Sequence, residues 1–183
     1  MNTKYIVLII FLCLTVYACS NDNDELDYCQ MAHRITNQTA RKLEKEKKLH
    51  LIGTGGGMMY NVRMMAMKFY FYKELDLVTV RELMVYTINT YLNAINEDEE
   101  IRPYLCEFPF TVKNIEITIF PRKADNSDPS PGNLYYVTSD DGILGYYIEI
   151  EESRQLIHEE TFAEAQRIVL LESENSKNKS TRK

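Results

Sequence analysis

The sequence predicts an α+β domain, a two-layer antiparallel sheet of about four strands with helices on one face, in the order α-β-α-β-β-β-α. Three observations carry this expectation. Residues 62–73 alternate: Met65, Met67, Phe69 and Phe71 fall on one side, and Val62, Met64, Ala66, Lys68, Tyr70 and Tyr72 on the other, which is the period of a strand. Residues 79–96 instead repeat apolar groups at Val80, Leu83, Met84, Ile88, Tyr91 and Ile95, the period of an amphipathic helix. Two β-rich runs, 134–138 and 144–150, flank Ser139-Asp140-Asp141-Gly142, the signature of a hairpin turn.

The remaining elements follow in chain order. A first helix is expected over 30–51, with Met31, Ile35 and Leu43 on a thin apolar stripe and Glu44 four residues before Lys48, the favourable orientation for a helical ion pair. The run Gly53-Thr54-Gly55-Gly56-Gly57 reads as the stop of that helix and a flexible joint. Thr79 and Glu82 have the spacing of a capping box for the second helix, with Val78 and Leu83 placed as its hydrophobic staple. Pro103 bars the helix from resuming. Residues 114–120 place Ile115, Ile117 and Ile119 on one strand face, and the Asp-, Ser- and Pro-rich stretch 125–132 is a loop. A last helix opens at Thr161, with Glu164 completing a second capping box, and runs to about Glu172. The tail 173–183 is polar and basic at its end, with Lys177, Lys179, Arg182 and Lys183, and is expected to be disordered.

The chain has 183 residues, enough for one domain. Hydrophobic residues at 45% and charged residues at 26% are those of a globular protein. With both ends set aside, about 140 residues remain, enough to fold without a metal or disulfide. The net charge is −6. An acidic domain repels phosphate backbones, so nucleic acid is not an expected partner.

The N-terminus has a pattern of its own. Residues 5–17 read YIVLIIFLCLTVY, uncharged and preceded by Lys4. A short basic stretch, an apolar run of this length and a small residue at its end form a secretory leader. A membrane-spanning helix needs about 20 apolar residues, more than this run supplies. Val16-Tyr17-Ala18-Cys19 resembles the lipobox of bacterial lipoproteins, although Tyr17 stands where that family prefers a small residue. The resemblance covers only this segment. It implies removal of a signal peptide, 1–18, and acylation of Cys19 on its thiol and new amino group. Ser20, where no Asp follows the cysteine, implies sorting to an outer membrane. Residues 19–29 then read as a flexible acidic tether, and 30–172 as a single α+β domain.

No motif for chemistry keeps its full spacing. A dinucleotide fingerprint begun at Gly53 would need glycine at 58, where Met58 stands. His158-Glu159-Glu160 sets an imidazole beside two carboxylates, but Phe162 breaks the HExxH pattern, and the carboxylates equally suit the start of the following helix. His33 and His50 lie among charged residues and are expected to be solvated. Asp125, Asn126 and Asp128 begin like a calcium loop, yet Ser130 and Tyr136 occupy the positions needing glycine and glutamate. No catalytic, cofactor or metal ligand set is therefore assigned. Cys29 and Cys106 remain in an oxidising compartment as either one disulfide or two thiols.

The aromatics point further. Of 13 tyrosines, the pairs Tyr135-Tyr136 and Tyr146-Tyr147 place a ring on each face of both hairpin strands. A two-layer fold leaves one sheet face without helices, so these tyrosines form a candidate contact face for an envelope protein or glycan. The expectation is a lipid-anchored, non-enzymatic binding or structural module. The alternatives are a membrane-tethered hydrolase whose site is assembled from scattered residues, and a surface-exposed or secreted interaction protein.

Overall fold

The computed structural model describes residues 21–180, with side chains from 27 to 175. Among these are three α-helices and six strands: α1 (Asn21–Lys47), β1 (His50–Gly57), β2 (Met64–Phe71), α2 (Leu77–Glu97), β3 (Ile115–Pro121), β4 (Leu134–Asp140), β5 (Ile143–Ile150), β6 (Ser153–Thr161) and α3 (Phe162–Ser180). The strands form one sheet in sequential order, β1 to β6. The fold is α+β, as the sequence predicts, but the sheet has six strands where about four were expected. It is also mixed, because β2 and β3 run parallel while every other neighbouring pair is antiparallel. A parallel pair needs a long crossover, and α2 supplies it.

Alternation sorts the side chains into two sets. Met65, Met67 and Phe69 of β2 are opposite Ile115, Ile117 and Ile119 of β3, and all six are buried. Val137 of β4 and Leu144 and Tyr146 of β5 extend the same face. These residues share one core cluster with Ile35 and Leu43 of α1, Val80, Met84, Ile88, Tyr91 and Ile95 of α2, and Ala165 of α3. A polar contact is buried with them: the hydroxyls of Thr36 on α1 and Tyr91 on α2 lie 2.7 Å apart.

The two extra strands come from segments with weak strand signals. The glycine run expected as a joint is β1, an edge strand that hydrogen-bonds along β2. Backbone pairing asks nothing of side chains, so strongly patterned β2 can recruit a glycine-rich neighbour. Helix α1 ends earlier than expected, at Lys47, and the left-handed turn expected of a glycine falls on Lys48 at φ 59°. It also begins earlier: residues 21–29, expected as a tether, are its first turns. Helix α2 likewise starts before the expected Thr79. Asp76 is its cap, accepting from the Thr79 amide at 2.7 Å, and Leu75 and Val80 take the buried staple positions. Those Thr79 hydrogen bonds hold the Asp76 carboxyl below its ordinary pKa. The capping box at Thr161 and Glu164 is present in both directions. Helix α3 then continues to Ser180, through much of the expected disordered tail.

Both hairpins at the far side of the sheet turn on residue pairs in the left-handed region. Asp141 and Gly142, at φ 45° and 79°, join β4 to β5 as the turn sequence implied. Glu151 and Glu152, at φ 49° and 62°, join β5 to β6. Two glutamates give no turn signal, which is why β6 escapes sequence inspection. Each non-glycine residue in that region costs about 1–2 kcal/mol. Replacing the pair with Asn-Gly (Glu151→Asn, Glu152→Gly) is expected to stabilise the protein by about 1–2 kcal/mol, read as a higher urea midpoint with unchanged slope. A lower midpoint would refute the assignment of this turn.

Candidate functional site

The sheet face opposite the core carries a band of aromatic rings. It is built by alternation: Tyr70 of β2 pairs with Phe120 of β3, and Tyr136 of β4 with Tyr147 of β5. Their ring centroids form a chain across the strands. Tyr70 and Phe120 are 6.2 Å apart, Phe120 and Tyr136 5.8 Å, and Tyr136 and Tyr147 4.4 Å in a near-parallel stack. Toward β1 the chain continues through Tyr72, 6.2 Å from Tyr70, to His50, 5.0 Å further. Adjacent strands lie about 4.8 Å apart, so the sheet's own spacing sets the spacing of the rings. All six are partly exposed.

Local features tune this band. A bulge between Leu134 and Tyr136 brings Tyr135 beside it, with its centroid 6.3 Å from that of Tyr136. Gly145 is needed beneath Tyr147, since a Cβ there would fall 2.9 Å from the ring. The Arg122 guanidinium lies 5.0 Å from the centre of the Tyr70 ring and pairs with Asp128, while Arg154 lies 5.4 Å from the centre of Tyr135. Between the rings, the hydroxyls of Thr118 and Thr138 are 3.1 Å apart. Desolvation, and after it the neighbouring Tyr147, raise the Tyr136 phenol above its ordinary pKa, so it stays a neutral donor. The band therefore offers flat apolar faces edged by hydroxyls and bounded by guanidiniums.

Of the four tyrosines proposed from sequence, Tyr135, Tyr136 and Tyr147 lie at this face. Tyr146 does not: it is fully buried in the core, because adjacent residues of a strand point to opposite sides. Phe120, Arg122 and Arg154 were missed. Tyr70 and Tyr72 were legible in the alternation of 62–73 but not connected to the hairpin tyrosines, which lie far away in sequence.

The His158-Glu160 pair has a different place. Glu160, on β6, accepts from the Arg81 Nε–H of α2 at 2.7 Å and from the Tyr146 hydroxyl at 2.5 Å. Arg81 and Glu160 are both buried. His158 approaches the other carboxylate oxygen at 3.6 Å. Burial works against the Arg81 charge, and the Glu160 hydrogen bond and charge outweigh it, leaving its pKa raised. Desolvation, then the Glu160 hydrogen bond, push the Tyr146 phenol well above the usual tyrosine range. This is a clamp between helix and sheet.

Other candidates separate. Cys29 is half-buried on α1 and Cys106 is exposed, and both are free thiols, so the disulfide alternative is not formed in this structure. Asp125 closes its own loop by accepting from the Ser127 amide and hydroxyl at 3.0 and 2.6 Å. Among the described residues no cluster of His, Cys, Asp or Glu is placed to hold a metal, and no helix is long and apolar enough to cross a membrane. A groove of about 790 Å³ runs between the helices, lined by Thr39, Tyr86, Asn89 and Thr90 among others. Cys19 and the leader lie outside the described residues. Comparison with protein-family models, curated proteins and solved structures finds no match to this chain.

Two outcomes test the clamp. Arg81→Met leaves the Glu160 carboxylate buried without its cation and should cost about 3–5 kcal/mol, measured by urea unfolding. The raised Tyr146 pKa means that its contribution to stability is complete below the unfolded value near pH 10 and is lost as pH rises past it. Phenolate absorbance should therefore show Tyr146 ionising only with unfolding, and Tyr146→Phe should weaken the alkaline loss of stability. A Tyr146 that titrates reversibly in the folded protein at an ordinary pH would contradict its burial.

Proposed function

We propose that this protein is exported, cut before Cys19, lipidated on that cysteine and held at a bacterial envelope membrane, with the aromatic sheet face as the contact surface for an extended glycan. The leader pattern ending at Cys19 supports the address. The observation that carries the binding role is the continuous row of rings from His50 to Tyr147. A linear saccharide has apolar ring faces and hydroxyl edges at regular intervals, and the band repeats flat apolar surface at strand spacing, with hydroxyl and guanidinium groups within reach. Aromatic side chains give such contact at low entropic cost, having few rotors to immobilise. Placing the face in the envelope keeps it among glycan polymers, and the lipid keeps it near the membrane. Sorting to the outer membrane, implied by Ser20, completes the proposed address.

Two measurements test the reading. Intact mass of the mature protein should show an acylated N-terminus at Cys19, and Cys19→Ala should leave the leader attached. Cosedimentation with purified, insoluble cell-wall glycan should retain the protein. The Tyr136→Ala/Tyr147→Ala variant should weaken retention roughly tenfold, equivalent to about 1.4 kcal/mol, with an unchanged circular dichroism spectrum. Equal retention of the variant, or no retention of the wild type, would remove the glycan reading. Retention by envelope proteins instead would move the same face to a protein partner.

A further inference from the structure

A second surface lies at one end of the sheet. The loop joining β1 to β2 exposes Met59 to 71% and Tyr60 to 85%, and Phe108, two residues past the Cys106 that pairs with Val62, is exposed to 52%. These side chains do not project from a slack loop. Tyr28 of α1 donates its hydroxyl to the carbonyls of Met58 and Met59 at 3.1 and 3.3 Å. The Arg63 amide closes the loop onto the Gly57 carbonyl at 2.8 Å. Val62 is buried, its amide donating to the Tyr104 carbonyl at 2.8 Å and its carbonyl accepting from the Cys106 amide at 2.9 Å. The backbone is thus fixed on polar contacts while the largest apolar groups point outward. Burying them against the protein would be favourable, so a held-out pair invites an external apolar phase.

The path of the chain identifies that phase. Helix α1 runs into β1 through a short connection at Lys48 and Leu49, so the start of α1 lies at the end of the sheet where β1 finishes, beside Met58 and Met59. Cys19 precedes Tyr28 by nine residues, and because 21–28 belong to α1 the two are separated by at most about 20 Å. A lipid on Cys19 therefore holds the bilayer toward the end of the molecule that carries this loop. Tyrosine is favoured at a membrane–water boundary, where its ring is buried and its hydroxyl stays wet. Arg63 stands three residues past Tyr60, and the Arg102 guanidinium lies 4.5 Å from the centre of the Phe108 ring. Asp98, Glu99, Glu100 and Glu107 also stand in the adjoining 98–110 segment. That mixture of signs suits zwitterionic headgroups over anionic ones.

We infer that Met59 and Tyr60, with Phe108 on the segment that pairs with Val62, form a membrane-contacting tip that seats in the headgroup region of a zwitterionic bilayer and orients the anchored domain. The inference rests on the lipid-anchored reading for its orientation, and its test is arranged to fail separately. The chain contains no tryptophan, so a single one is a clean reporter. Full-length protein carrying Tyr60→Trp is reconstituted into phosphatidylcholine vesicles, with and without brominated acyl chains. Leu156→Trp, on the β6 edge, is the control, and intact mass reports acylation in each sample. The expected result is a blue-shifted emission and at least twofold quenching for Trp at 60, with neither at 156. Introducing Met59→Ser and Phe108→Ser beside the reporter should abolish the quenching while leaving the acyl mass unchanged. Acylated protein with no quenching at 60, or equal quenching at 60 and 156, overturns the tip and leaves the anchor intact. Quenching at 60 alone in protein that carries no lipid supports the tip while refuting the anchor.

Discussion

The parallel pairing of β2 and β3 is the constraint from which the rest of the architecture follows. Two neighbouring strands running the same way must be joined by chain that crosses the sheet. The crossing element, α2, is apolar on the side it presents, with Val80, Met84, Ile88, Tyr91 and Ile95 all buried. The face it crosses becomes the core. Helices α1 and α3 then add their buried residues to the same cluster, and the opposite face is left to whatever its alternating residues happen to be. Here a row of rings crosses it. The open aromatic band is thus the complement of the core, one residue out of register along the same strands.

The Arg81–Glu160 pair shows how the crossing helix is fastened. Removing two charges from water costs several kcal/mol for each, and their attraction recovers this only with good geometry and additional hydrogen bonds. Glu160 has both, receiving Arg81 and Tyr146 on one oxygen. An apolar replacement of matched shape would hold α2 to the sheet as firmly but with less selectivity. An ion pair of fixed geometry admits one placement of α2 over β5 and β6, and a greasy contact admits several. The same clamp accounts for a carboxylate-rich segment forming an edge strand: Glu160 points inward to a cation, and Glu159 points outward to water.

Much of this fold was legible because the relevant signals are local. The alternation of β2, the isoleucines of β3, the Asp141-Gly142 turn and the Thr161–Glu164 cap each depend on residues within a few positions. What escaped depends on partners elsewhere. β1 has glycines that carry no strand signal and is a strand because β2 offers it hydrogen bonds. β6 follows a turn of two glutamates whose conformation the paired strands impose. Direction was hidden too, because a helix between two strands permits either orientation until the sheet order is known. Of the candidate site, alternation alone placed Tyr70 and Tyr72 together, while the hairpin reading took Tyr135, Tyr136, Tyr146 and Tyr147 as one set, and only the register pairs Tyr136 with Tyr147. Joining them required β3 between, with Phe120 as the link.

The sheet's two borders are unlike. The β6 border carries Arg154, His158 and Glu159 and an irregularity opposite Tyr146 and Tyr147, features that discourage another strand from adding. The β1 border, from Leu51 to Gly57, carries no charge, and a side chain at Gly53 or Gly55 would meet nothing closer than ordinary van der Waals distance. Strand addition is therefore opposed more strongly at the β6 flank than at the β1 flank. Joining two copies through their β1 flanks uses up the less defended border of each and leaves only the charged, irregular β6 borders facing outward.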